Sequence, residues 1–383
     1  MIPSFQGAEQ HAQCVNRVRM FFPRLVKHCI SRIIRCKMSS KKLHPASSLK
    51  SPAIRVLPVD NCRPLWSVMI PTYNPRPDYL EETLHSVLQQ DPGPEQMQIE
   101  VIDDRSTDDV AAQTIRRVGG GRVSFHAKPQ NRGLANTWNR CIERARGHWV
   151  HILHQDDIVL PGFYTQLRKG AEQSDAGAIF CRYAVTNSKG HWMGISELHR
   201  ESAGLLDDWH ARITVQQLIQ CPAIAVRRLV YEQLGGFLPR LHYTPDWEMW
   251  QRVASQFSFW FEPSILACYR VHPDSATSRM RLDAADVREV CELIDLTRAY
   301  HSPARGRVFA RRARSFYAGI AVLHARDMLV EVGFRPAWKQ ILEALRLCHS
   351  RRVIWQISSF LVLWFRIIAS RLKRRMKWKS SAR

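Results

Sequence analysis

The sequence predicts an α/β fold: a mixed, mainly parallel sheet flanked by helices, followed by a C-terminal helical extension. Three observations predict it. Short apolar strands alternate with helix-period segments between Trp66 and His154, the pace of a doubly wound sheet with right-handed crossovers. Each strand runs into polar, turn-forming residues, so those groups gather at the carboxyl edge of the sheet, where open α/β folds bind ligands. After residue 281 the apolar period is helical to the end of the chain.

In order, the divisions are a basic N-terminal segment (1–62), the α/β domain (63–280), a helical subdomain (281–350) and an amphipathic basic helix (351–383). Read as a helix, Arg24 to Lys37 puts Leu25, Cys29, Ile30 and Ile33 on one face and Lys27, Arg32 and Arg35 on the other. Such a helix suits a membrane surface or a partner, and equally a stripe packed on the protein's own core. Residues 38–62 read as a linker, and basic residues interrupt any signal-peptide core in the N-terminal segment.

The first strand is Trp66 to Ile70, running into Pro71, Thr72, Tyr73 and Asn74. Asp78 then caps a helix carrying Leu80, Leu84, Val87 and Leu88. A second strand, Gln98 to Asp103, meets Asp104-Arg105-Ser106-Thr107-Asp108; a third, Arg122 to Ala127, precedes Asn131, Arg132 and Gly133. A helix bearing Trp138, Cys141 and Ile142 leads to the strand 149–153, which ends at His154-Gln155-Asp156-Asp157. Pro161 is placed to open the next helix. An Asp pair at a strand end fits a hard divalent cation, which takes oxygen ligands, and it equally fits a helix cap or turn. Four such endings at one sheet edge favour a ligand. Phosphate-gripping glycine loops are missing, so a diphosphate here calls for a cation.

Further on, 176–185 reads as a strand, Asn187 to Gly190 as a hairpin turn and 191–212 as a loop over the site. A helix from Val230 ends at Gly235-Gly236. In Pro245-Asp246-Trp247-Glu248, Asp246 is placed as a helix N-cap or as a base beside an acceptor hydroxyl. Residues 257–262 and 265–270 read as a strand pair leading to His272.

The order and spacing of Ile70-Pro-Thr-Tyr-Asn74, Val101-Ile-Asp-Asp-Arg-Ser-Thr-Asp108, Asn131-Arg-Gly-Leu-Ala135 and Gln155-Asp-Asp157 resemble the family 2 glycosyltransferases, over roughly residues 65 to 275. The resemblance implies a GT-A fold, a nucleotide-diphosphate sugar donor, Mg²⁺ or Mn²⁺, and inversion at the anomeric carbon. Carried onto this chain, Thr72, Tyr73, Asp103 and Asp104 hold base and ribose, with Pro71, Arg132 and Gly133 in the same nucleotide-sugar site. Asp156 contacts ribose or sugar, Asp157 binds the metal, and Asp246 is the base with Glu248 as the alternative acid. Arg270 and His272 grip the diphosphate, or His272 completes the metal shell. Two positions depart from the pattern: Arg105 stands where the family has glycine, and Gln155 where an acid is usual.

Charge and cysteines bound the remaining classes. Residues 1–62 hold 11 Lys/Arg against 2 acids and residues 301–383 hold 19 against 3, within a net charge of +22. The body between is close to neutral, so the charge sits at the ends. Interleaved there with Leu, Ile and Trp and lacking a nucleic-acid motif, it points to an anionic membrane surface and away from nucleic acid. The 10 cysteines form no Cys-x-x-Cys pair, which excludes a disulfide framework or zinc box and suits the cytoplasm. Val353 to Phe365 is uncharged but Arg366 follows, so the segment is expected to lie in the membrane interface or pack as a core helix. The expected activity is transfer of a sugar to a saccharide or lipid-linked acceptor at the cytoplasmic membrane face. A catalytically inactive scaffold of the same fold is the alternative.

Overall fold

A computed structural model describes residues 51–58 and 62–381, with side chains described to residue 370. The amphipathic helix expected at 24–37 and most of the expected linker lie outside the described residues.

The sheet is built first from β1 (Trp66–Thr72), β2 (Met97–Asp103), β3 (Ser124–Ala127) and β4 (Trp149–Ile152). Their connections are α1 (Pro77–Leu88), α2 (Val110–Val118) and α3 (Leu134–Arg144). β1, β2 and β4 are buried along their whole length, as strands covered on both faces should be. β5 (Ile158–Val159), α4 (Phe163–Gln173), β6 (Ala178–Thr186), β7 (Trp192–Ile195), β8 (Gly204–Leu205), α5 (Trp209–Val215), β9 (Ile224–Arg227), α6 (Arg228–Leu234), α7 (Pro245–Ala254) and β10 (Phe259–Arg270) complete the domain. The strand order is β3-β2-β1-β4-β9-β6-β10-β5, with β7 on β6 and β8 on β10. β1, β2, β3 and β4 pair in parallel, as do β6 and β10; β9 runs the other way between β4 and β6. The mixed, mainly parallel sheet flanked by helices is the expected fold class.

Register brings the strand ends together. Thr72 pairs with Asp103, which pairs with Ala127. On the other side β4 pairs Ile152 with Met69, three residues short of Thr72, so the turn after β4 reaches the same edge.

Several local expectations change. Asp78 lies inside the first turn of α1, where it binds Arg76, and Arg76 occupies the cap. Pro161 does not open a helix; α4 starts at Phe163, after Gly162 in the left-handed region (φ 91°). Residues 191–212, expected as a loop, hold the short strands β7 and β8 and the start of α5 between loop stretches. The expected strand pair at 257–270 is one long strand, β10, with register shifts against β6 around Ile265. Pro263 removes a ladder donor at that point.

Helices α8 (Ala276–Arg281), α9 (Ala285–Thr297), α10 (Pro303–Glu331), α11 (Phe334–Leu347) and α12 (Arg351–Ser381) follow. They pack on the α/β domain: the Tyr317 ring of α10 lies 4.8 Å from the Trp247 ring of α7. Among its described side chains α12 buries Val353, Ile357 and Phe360, a stripe at helical spacing, and little else. Its first 20 residues, Arg351–Ser370, are long and apolar enough to cross a membrane.

Candidate active site

The ends of β1 and β2 are laced together by short-range hydrogen bonds. Asn74 and Arg105 both take left-handed backbone conformations, with φ of 44° and 64°. Asn74 donates its N–H to the Ser106 hydroxyl at 2.8 Å and accepts from the Thr107 N–H at 2.8 Å. A left-handed conformation at Arg105 costs an L-residue roughly 1–2 kcal/mol, which accounts for a glycine preference at this turn. Asp103 accepts the Ser106 N–H at 2.9 Å and its hydroxyl at 2.5 Å. Asp104 accepts from Lys128 Nζ at 2.5 Å and from the backbone N–H groups of Arg132 (3.1 Å) and Gly133 (2.9 Å).

The first acid pair, expected to hold base and ribose, is engaged by the protein's own loops. Both carboxylates are buried and every oxygen has a partner within the protein, so Asp103 and Asp104 shape the loops that a nucleotide would meet. Arg132 and Gly133 belong to the same clamp through their backbone, while the Arg132 side chain is exposed. Pro71 and Thr72 are buried at the floor and the Tyr73 ring is exposed above it.

The end of β4 is different. Gln155 ties the two loops as no carboxylate can. Its Oε1 accepts from the Thr72 hydroxyl at 2.6 Å and the Tyr73 N–H at 2.8 Å, and its Nε2 donates to the Tyr73 carbonyl at 3.3 Å. Asp157 is buried: Oδ1 accepts the Arg270 N–H at 2.8 Å, while Oδ2 has no hydrogen-bond partner among the described residues and lies 3.5 Å from His154 Nδ1. Burial pushes the Asp157 carboxyl up to about 6, against the pull of His154. On His154, burial acts against the charge, yet Asp157 beside it prevails and raises its pKa. The His154 ring stacks on Trp138 at 5.1 Å, which fixes its plane.

The ligand atoms of His154, Asp156 and Asp157 lie within 4.8 Å of one another. Two carboxylates and an imidazole, one carboxylate oxygen buried without a partner, are a donor set that fits Mg²⁺ or Mn²⁺. His272, expected in the metal shell, stands one step back, with Nε2 2.9 Å from Asp156 Oδ2. It orients the carboxylate, the part an outer-shell histidine plays. Arg270 is also corrected as a diphosphate grip. It is buried, its Nε donates to the Asp156 carbonyl at 2.8 Å, its guanidinium pairs with Glu82, and it stacks 4.3 Å over Tyr79. It locks the acid turn to α1.

The third element is α7. Thr244 is its N-cap, so Asp246 is not the cap but a first-turn residue, half-buried. Its Oδ2 accepts from Gln217 Nε2 at 2.7 Å and its Oδ1 from the Trp247 N–H at 2.7 Å. Burial pushes the carboxyl up to about 6, and the charges of Asp246 and His154 act on each other. Glu248, the alternative acid, is corrected to a structural role. It is fully buried, chelates Arg252 at 2.8 and 2.9 Å, and accepts the Tyr300 hydroxyl.

Residues outside the expected set complete the site. Glu289 of α9 gathers the N–H groups of His242, Tyr243 and Thr244 on its carboxylate at 2.7 to 3.0 Å, setting the turn that presents Asp246. Gln217 and Glu289 carry no sequence signal, because each lies dozens of residues from the group it holds. His154 was legible, two residues before Asp156.

Residues 67–235 match the profile of glycosyl transferase family 2. Over that segment the α/β domain matches a family 2 glycosyltransferase domain. An uncharacterized protein of Mycobacterium tuberculosis is 29% identical over 239 residues, 60% of this chain and 74% of its own. A putative teichuronic acid biosynthesis glycosyltransferase of Bacillus subtilis is 39% identical over 99 residues, 25% of this chain and 38% of its own. Among solved structures, a mannosyltransferase of Pyrobaculum calidifontis in complex with GDP-Man and Mn²⁺ superposes with a TM-score of 0.49 at 16% identity, covering 83% of this chain and 84% of that one.

Proposed function

We propose that this glycosyltransferase inverts the anomeric centre, passing a sugar from a nucleotide-diphosphate donor to a hydroxyl of a saccharide or lipid-linked acceptor at the cytoplasmic face of a membrane, in polysaccharide or lipopolysaccharide assembly. The observation that carries the reading is the pairing of Asp246 with the His154, Asp156 and Asp157 group: a carboxyl suited to take a proton faces a cluster suited to hold charge. The teichuronic acid relative supports the polysaccharide setting. The apolar, Arg-flanked start of α12 supports the membrane setting.

Asp246 accepts the proton of the acceptor hydroxyl as its oxygen attacks the anomeric carbon. The bond from that carbon to the diphosphate oxygen breaks with its electron pair, and the nucleoside diphosphate leaves from the opposite face. A carboxyl titrating near 6 is better matched to this work than one near 4. Asp156 and Asp157, with His154, would hold the Mg²⁺ or Mn²⁺, which supplies neutralisation of the leaving diphosphate. Gln217 orients the base, and Gln155 sets the loops around the nucleotide.

Calorimetric titration of UDP, GDP and dTDP with and without Mn²⁺ tests this. One nucleotide binds with metal to the wild type and to Asp246→Asn, and fails to bind Asp156→Asn. If no nucleotide binds the folded wild type, the reading falls and the inactive-scaffold alternative takes its place; Gln155 in the usual position of an acid is the observation behind that alternative.

A further inference from the structure

We infer that the outward face of α10, together with α12, is a docking surface for an anionic lipid bilayer. The inference rests on the membrane setting proposed above and assigns it a surface beyond the terminal helix. α10 is 29 residues long and buries its inner arc through residues such as Phe309, Ala313, Ala321 and Met328. Its outer arc should be polar. Instead Phe316, Leu323 and Val330 are exposed at steps of seven, which a helix places in one stripe drifting about 20° per step. Arg312 and Arg326 stand one turn away on the same arc, exposed and with no acidic partner among the described residues.

α12 crosses this arc at its midpoint. A Cβ on Gly319 would meet the Gln356 side chain at 3.4 Å, and Phe316 and Leu323 flank Gly319 one turn to either side. Next to Gln356 stands Trp355, 70% exposed, and Val362 and Phe365 continue the exposed apolar side of α12. The two helices thus bring exposed apolar stripes together at one crossing, bordered by Arg351, Arg352 and Arg366, all exposed.

Charge decides the occupant. With 19 basic residues against 3 acids over 301–383, two copies of this face would repel each other. Arginines interleaved with aromatic and branched aliphatic side chains match a bilayer carrying anionic headgroups, which attract the cations while the boundary region takes up the apolar groups.

The test is sedimentation of the full chain with phosphatidylcholine vesicles, with and without phosphatidylglycerol. The comparison is between wild type, a triple variant Phe316→Ser, Leu323→Ser, Val330→Ser, and the pair Arg312→Glu, Arg326→Glu. The expected result is wild-type binding that needs phosphatidylglycerol and weakens with salt, and that falls roughly tenfold or more in each variant. The substituted side chains are exposed, so unchanged thermal unfolding and unchanged nucleotide binding certify the variants. Binding of both variants at wild-type strength overturns the inference and leaves α12 acting alone. Equal binding to neutral vesicles also overturns it, as does a wild-type dimer that the triple variant dissociates, which assigns the face to a second copy. Absence of vesicle binding by the wild type removes both this surface and the membrane setting, while metal-dependent nucleotide binding would leave the sugar-transfer reading standing.

Discussion

Asp103-Asp104 and Asp156-Asp157 look the same in sequence, two adjacent acids at the carboxyl end of a parallel strand, and the fold uses them in opposite ways. The first pair is enclosed by donors: the Lys128 ammonium, the Ser106 hydroxyl and the backbone N–H groups of Ser106, Arg132 and Gly133 leave no oxygen unmet. The second pair is left short. Asp157 keeps a buried oxygen with no hydrogen-bond partner among the described residues, and Asp156 is only half-buried beside His272. A satisfied buried carboxylate stabilises a loop; an under-satisfied one holds charge for something that arrives later. The contrast recurs within one turn of α7, where Asp246 is half-buried beside Gln217 and Glu248 is fully buried and clamped by Arg252 and Tyr300.

The sharpest way to break this comparison is at α7. Asp246→Asn should lower kcat by about 10²–10⁴ with donor binding and unfolding midpoint retained, the range for loss of a general base. In Glu248→Gln the loss should appear first in stability, because Arg252 keeps its buried charge without a matching one. A variant pair with the two effects exchanged would refute the assignment. The same carboxyl sets the pH profile. A base must be deprotonated to act, so with Asp246 near 6 the value of kcat/KM should rise with pH and level off above about 6.

Next in size is Asp104→Ala. Removing one partner of a buried ion pair costs about 3–5 kcal/mol, here by leaving Lys128 uncompensated, and denaturant unfolding would read it as a lowered midpoint. Asp156→Asn, by contrast, should abolish metal-dependent nucleotide binding at little cost in stability. Equal destabilisation by the two would erase the distinction between the pairs.

A smaller effect distinguishes the pairs by pH. The Asp157 carboxyl titrates near 6 in the folded chain and lower when unfolded, so the unfolded state loses its proton first as pH rises. The contribution is absent below the unfolded value, and stability declines as pH climbs toward 7. Metal-free protein should therefore gain about 1 kcal/mol from this group between pH 7 and pH 5. Thermal unfolding in chelator checks it, and Asp157→Asn should flatten the dependence. Smallest of all, Arg105→Gly relieves a left-handed backbone but frees the unfolded chain, for a net gain below about 1 kcal/mol. A measurable loss would mean that the Arg105 side chain has contacts of its own.

The sequence by itself determined the strand–helix alternation, the edge where the strand ends converge, and the position of both acid pairs. These follow from short-range rules: apolar period, turn chemistry, and the parallel register that alternation enforces. It also set Asp246 at the start of a helix, though as its cap, a place that Thr244 takes. What it left open is which acid faces water and which faces a donor. The family resemblance implied a diphosphate grip at Arg270 and an alternative acid at Glu248, and neither role takes account of the groups that pack around those side chains. Only the tertiary structure brought Glu82 and Tyr79 to Arg270, Tyr300 to Glu248, and Glu289 and Gln217 to the turn that carries Asp246. A carboxylate's role depends on how many donors reach it and how much water is excluded. Both are sums over groups distant in the chain, so no local pattern records them.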